Sequence, residues 1–195
     1  MSKGAERRAT IRDVSAALFA SRGVAATTVR DIGDAAGVLS GSLYHYFPSK
    51  NAILTAVLSE FMSDIHAAFR EVGAREEPPA DTLRGMIHAT LTVIDAHPHA
   101  TAIYQNDRAY LRDQGLLTEV DDQARLIREH WMTAIRAGVT DGTFRDDVPP
   151  EIFYRALRDA LWASMHWPTR GSHTTAELGD LLAALFLDGF ARPAG

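Results

Sequence analysis

The chain has 195 residues, no cysteine and a formal net charge of −5, a length that suits one medium domain or a small domain joined to a larger one. Without cysteine it can hold no disulfide framework, thiolate zinc site or thiol nucleophile, and no uninterrupted apolar run approaches the ~18–20 residues of a membrane span, so a cytoplasmic protein with no membrane partner is expected. The charge is unevenly placed: residues 1–50 carry seven basic groups against four acidic ones, a local +3 that leaves −8 on the remainder, as when only the front of a protein approaches phosphates.

Apolar residues recur at helical spacing and no stretch sustains strand alternation, so an all-α chain of nine helices is expected. The first helix is predicted over 6–21, with Ile11, Val14 and Leu18 on its buried face and Gly23 as its left-handed stop. A second begins at Thr28, where Thr28 and Asp31 have capping-box spacing, and ends at Gly37. A short third helix covers 40–46, and Pro48 closes it. Ser49 then caps a long fourth helix carrying Ile53, Val57, Phe61, Ile65 and Phe69. After the proline break at 75–80, Leu83, Ile87, Leu91 and Ile94 mark a fifth helix, which His97-Pro98 ends. Further helices are predicted over 99–112, 118–140 (Leu126, Ile127, Trp131, Ile135), 150–167 and 174–190, the last opened by a Thr174 and Glu177 capping pair.

The second and third helices meet at a tight turn containing Gly37. Ile32, Ala36, Val38, Leu43 and Phe47 can form the small core that fixes their angle, which leaves Ser40, Ser42, Tyr44 and His45 outward. Short polar side chains of that kind suit base edges in a major groove, while hydroxyls and lysines hold phosphates. The runs Thr28-Val29-Arg30-Asp31-Ile32, Ala36-Gly37-Val38 and Leu43-Tyr44-His45-Tyr46-Phe47-Pro48-Ser49-Lys50 resemble the helix-turn-helix of the TetR family of bacterial regulators. The resemblance implies DNA contact by Thr28, Arg30, Ser40, Gly41, Ser42, Tyr44, His45 and Lys50, a DNA-binding domain over 1–50, and a ligand-binding and dimerisation domain over 51–195. It also implies a homodimer on a palindromic double-stranded operator, released by a small-molecule effector. Leu39 stands where the turn often places a capping serine, so the recognition helix is expected to start at Ser40.

In the body, small residues on the last two helices allow close approach of a second copy, and the dimer interface is assigned to Ala156, Ala160, Leu181 and Leu185. Arg158, Trp162 and Met165 share one helical stripe, which fits a pocket for an apolar body with an anionic or polar end, or else an arginine stem packed on a surface indole. Val38 through Phe47, Ala102-Ile103-Tyr104-Gln105-Asn106 and Leu157-Arg158-Asp159-Ala160-Leu161-Trp162 resemble the branch of the family that answers to acyl-CoA thioesters of fatty-acid or steroid catabolism. That likeness implies Arg158 and Trp162 as ligand contacts. Phe61, Ile65, Leu91, Ile94, Tyr104 and Trp131 complete the expected ligand set. A drug-responsive repressor of an efflux pump is the alternative within the class. A metal sensor built on His88, His97, His99 and Asp95 is a further alternative. No catalytic motif is present, so neither an enzyme nor a cofactor is expected.

Overall fold

The structure, a computed structural model, describes residues 3–190. These residues form ten α-helices and no strand: α1 (Lys3–Arg22), α2 (Val29–Ala36), α3 (Ser40–Leu43), α4 (Lys50–Gly73), α5 (Pro79–Ala96), α6 (Pro98–Asn106), α7 (Arg108–Asp113), α8 (Leu117–Thr140), α9 (Pro150–Ser164) and α10 (Thr175–Phe190), with a 3-10 turn at Arg170–Ser172. The all-α expectation holds. The count of nine does not, because the segment expected as one helix over 99–112 is broken at Asp107, whose carboxylate accepts a hydrogen bond from the Val24 N–H at 3.1 Å.

Two compact units arise. The first comprises the chain up to Ser63 together with His97–Gln123, and the second comprises Asp64–Ala96 with the chain from Ala124 onward. Within the first unit α6 packs on α1. The core of that unit contains Ile11, Phe19, Val24, Ile32, Leu43, Phe47, Ile53, Leu54 and Phe61. In α1 the buried face is Ile11, Ser15, Ala16 and Phe19, while Val14 and Leu18 are only half-buried. A serine is accepted inside because its hydroxyl donates to the Ile11 carbonyl at 2.6 Å.

In the second unit α5 packs on α10 and α9, and Leu83, Ile87, Leu91 and Ile94 of α5, Phe153, Leu157 and Leu161 of α9 and Leu178 and Leu182 of α10 are buried. Gly179 permits the approach, since a Cβ there would lie 2.5 Å from the His88 ring. On α8, Trp131 and Ile135 are buried as expected, whereas Leu126 is exposed. Helix α4 is long and apolar enough to cross a membrane by length and composition, yet Ile53, Leu54, Val57, Phe61 and Ile65 are buried within the fold, as in a core helix.

Candidate DNA-reading face and effector-binding body

Helix α2 starts where local chemistry dictates. Thr28 is its N-cap: the hydroxyl accepts from the Asp31 N–H at 3.1 Å, and the Asp31 carboxylate accepts from the Thr28 N–H at 2.8 Å. The Thr28 hydroxyl also donates to the Asp31 carboxylate at 2.5 Å, and this bond first, then the one from the Thr28 N–H, holds the Asp31 carboxyl below its ordinary pKa. Gly37 ends the helix at φ 65°, and Gly33 sets how tightly the turn closes, because a Cβ there would stand 2.9 Å from the Val38 carbonyl oxygen. Helix α3 starts at Ser40, and Leu39 before it makes no side-chain cap bond.

Thr28, Arg30, Gly41, Tyr44 and His45 are exposed, and Ser40 and Ser42 are half-buried. Ile32, Ala36, Leu43 and Phe47 are buried beneath them. Arg30 is open, its side chain 86% exposed and 3.9 Å from Asp34. Other basic groups of the first fifty residues are engaged within the protein. Arg7 donates to the Ala36 carbonyl at 3.3 Å, Arg8 lies 4.3 Å above the Phe47 ring, and Arg12 pairs with Glu60 at 2.7 Å. Lys50, expected at a phosphate, donates through Nζ to the carbonyls of Val24 (2.7 Å) and Thr27 (2.8 Å), and burial lowers its pKa. Leu39, marked in the sequence only as a missing cap, is 80% exposed beside the recognition helix. Its lack of a capping group was the available signal.

The expected ligand residues fall in different environments. In the first unit Phe61 is buried, with its ring centroid 5.9 Å from that of His97 and 6.5 Å from that of Tyr104. In the second unit Ile65, Leu91, Ile94 and Trp131 are buried, and Trp131 meets Phe69 edge-on at 5.5 Å. Arg158 bonds its neighbour Asp159 at 2.6 Å and lies 5.6 Å from the Tyr154 ring, while Trp162 is half-buried. The second unit also has two open grooves, of about 520 Å³ (Val72, Arg75, Arg84, His88) and about 590 Å³ (His66, Phe69, Met86, Leu126, His130). None of the eight expected ligand residues lines either groove.

Three of the four side chains of the metal alternative are engaged elsewhere: His88 meets Asp180 at 3.1 Å, Asp95 binds Arg170 at 2.5 Å, and the His97 ring lies against Phe61, while His99 is exposed. No group of three or more metal-ligating side chains occurs among the described residues. For the expected interface, Leu181 and Leu185 are 53% and 70% exposed one turn apart on α10; on α9 Ala156 is exposed and Ala160 half-buried, and Ile152 adds another exposed apolar group.

Comparison with known proteins matches this geometry. Residues 11–57 fit the bacterial regulatory proteins, tetR family, and residues 76–190 fit the tetracyclin repressor-like C-terminal domain. Over 188 residues the chain is 39% identical to the HTH-type transcriptional repressor KstR2 of Rhodococcus jostii, covering 96% of this chain and 92% of that protein. It is 35% identical over 187 residues to KstR2 of Mycobacterium tuberculosis, covering 95% of this chain and 94% of that one. The solved structure of the ketosteroid transcriptional regulator KstR2 of Mycobacterium tuberculosis superposes with a TM-score of 0.87, covering 95% of each chain. With the helix-turn-helix and the body both matched, this chain is a member of the TetR family of DNA-binding transcription regulators.

Proposed function

We propose that the protein is a ligand-responsive repressor that binds a palindromic operator as a homodimer and leaves it when a small molecule, an acyl-CoA thioester of steroid or lipid catabolism, occupies its body. The observation that carries this reading is the extent of the likeness to KstR2: at 39% identity it covers 92% of the relative, the effector-bearing body included. A family match confined to the helix-turn-helix would support DNA binding and say nothing of the ligand.

Thr28, Arg30, Ser40, Gly41, Ser42, Tyr44 and His45 form the proposed DNA-reading set, to which the exposed Leu39 is added. Arg30 serves a phosphate, and Tyr44, His45 and the serines serve base edges or phosphates. Arg158 and Trp162 are the proposed contacts for the polar end of the effector, with Ile65, Leu91, Ile94 and Trp131 of the same unit offering apolar surface. For Arg158 this requires the guanidinium to exchange its contact with Asp159 for the effector, which is inexpensive at an exposed pair. Ligand binding shifts the protein from the DNA-competent state only by its differential affinity for the two states, and a few kcal/mol are enough.

A gel-shift titration with a panel of acyl-CoA thioesters, the matching free acids and apolar drugs tests the reading. The parent protein is expected to release DNA with a thioester. Arg158→Met and Trp162→Leu should bind DNA as the parent does and resist release. If no thioester releases the parent and an apolar drug does, the efflux-pump reading replaces this one.

A further inference from the structure

The break between α6 and α7 does more than interrupt a helix. Gly23, in the left-handed conformation at φ 81°, closes α1 by donating its N–H to the Phe19 carbonyl at 2.9 Å. In a Schellman ending the next N–H, that of Val24, would also turn back onto the helix. Here it donates to Oδ1 of Asp107 instead, 83 residues away in sequence. The Val24 carbonyl accepts from Lys50, so this residue, in the loop leading into α2, is gripped at its N–H from the α6–α7 elbow and at its carbonyl from the start of α4.

The same elbow holds α4 directly. The Tyr110 hydroxyl donates to Oδ1 of Asn51 at 2.8 Å, and Asn51 Nδ2 donates to Oε1 of Gln114 at 3.0 Å. Burial, and then the charge of Asp107, raises the Tyr110 pKa, so its hydroxyl stays protonated and acts as the donor that orients the Asn51 amide. The Tyr110 ring also lies 5.4 Å from Lys50 Nζ.

We propose that the α6–α7 elbow is a latch in which Asp107, Tyr110 and Gln114 act as positioning residues for DNA binding, holding the loop before α2 and the start of α4 so that the recognition helix is presented in one orientation. None of the three touches DNA in this reading. The proposal rests on the chain being a DNA-binding regulator.

Two measurements test it and can fail separately. Amide exchange at Val24 needs no DNA: Asp107→Ala should speed it about tenfold, as loss of a hydrogen bond to a charged acceptor implies, with α5, α9 and α10 unchanged. Asp107→Asn, which keeps an acceptor oxygen, should restore most of the protection. For DNA, duplexes enriched from a random pool by the parent protein serve as the probe, at a temperature where every variant is folded. Asp107→Ala should bind them about tenfold more weakly and Tyr110→Phe about threefold, both with the parent's salt slope, because no phosphate contact is lost. Unchanged Val24 exchange, or parent-like DNA affinity in Asp107→Ala, overturns the latch, as does an Asp107→Asn protein as impaired as Asp107→Ala. If Asp107→Ala does not fold, Tyr110→Phe decides, and parent-like affinity there overturns it. A parent that enriches no duplex refutes the DNA-binding reading, while Val24 exchange still judges the latch.

Discussion

Lys50 matches the family motif and also holds the fold. Sequence placed it at a phosphate, whereas the structure directs its ammonium to the carbonyls of Val24 and Thr27. A half-buried ammonium with two carbonyl partners stabilises a loop, and its removal leaves both acceptors to find water. Lys50→Ala should therefore lose about 1–3 kcal/mol in urea denaturation. A phosphate-contacting lysine would instead flatten the dependence of log affinity on log salt by ~1, so the salt slope of the folded variant separates the two roles. Leu39 presents the converse case, an apolar side chain left 80% exposed beside the recognition helix. In a major groove its natural partner is the thymine methyl group. Replacing thymine by uracil at one base pair of an enriched duplex should weaken parent binding by about 0.8 kcal/mol, roughly fourfold, and leave Leu39→Ala indifferent. A parent insensitive to uracil at every position would refute the contact.

At the scale of elements, whatever is decided within one turn of chain was legible in the sequence. The Thr28–Asp31 box and the Thr174–Glu177 pair formed as expected because each is closed by residues three apart. Hydrogen bonding to Thr28 and to Thr174 holds the pKa values of Asp31 and Glu177 below their ordinary 3.8 and 4.5. A carboxylate with a depressed folded-state pKa stabilises the native state above its unfolded value, and the contribution is lost as pH falls through the folded one. Asp31→Asn should thus be less stable than the parent at neutral pH, and the gap should close only as the pH falls below about 3.8. A gap independent of pH would rule out the charge. Glycines divide as sharply: a Cβ on Gly33 would meet the Val38 carbonyl at 2.9 Å, whereas one on Gly41 would meet nothing within 4 Å. Gly33→Ala should cost about 1–3 kcal/mol by overpacking, and Gly41→Ala should be neutral or stabilising by up to ~1 kcal/mol through helix propensity. Thermal unfolding of both variants checks the pair.

At the scale of the whole molecule, hydrophobic period revealed the all-α class and the positions of most helices, because each helix must bury a stripe whatever it packs against. Period could not reveal that α6, α7 and the first turns of α8 join the DNA-reading helices in one compact unit. That depends on Asp107 meeting Val24 and on Tyr110 meeting Asn51, pairings between distant residues that leave no periodic trace. Nor could it show Leu126 exposed and Ile127 half-buried on a helix where Trp131 and Ile135 are buried. The recognition helix was legible because its outward residues are polar while its core is local; of the expected ligand residues only Arg158 and Trp162 came from the resemblance, and the separate surroundings of the eight were not foreseeable.

The same exposure makes the oligomeric state testable without confusing assembly with folding. Leu181 and Leu185 are 53% and 70% exposed in the single chain, close to Asp188, and the exposed Ile152 and Ala156 lie on α9. A subunit on its own gains nothing from leucines in water, whereas two copies meeting on this surface would bury them at roughly 25 cal/mol per Å² of apolar area. Leu185→Glu should accordingly leave the helical content of the subunit intact, since that side chain already faces solvent, while a carboxylate forced into a dry interface should split the dimer. DNA affinity should fall with it, because a palindrome is gripped by two recognition helices at once and a monomer keeps only one half-site. Ala160→Glu, at a half-buried position, should both split the dimer and lower subunit stability. Sedimentation and DNA titration of the parent and both variants decide the matter: a parent that sediments as a monomer, or a dimer untouched by Leu185→Glu, would place the interface elsewhere.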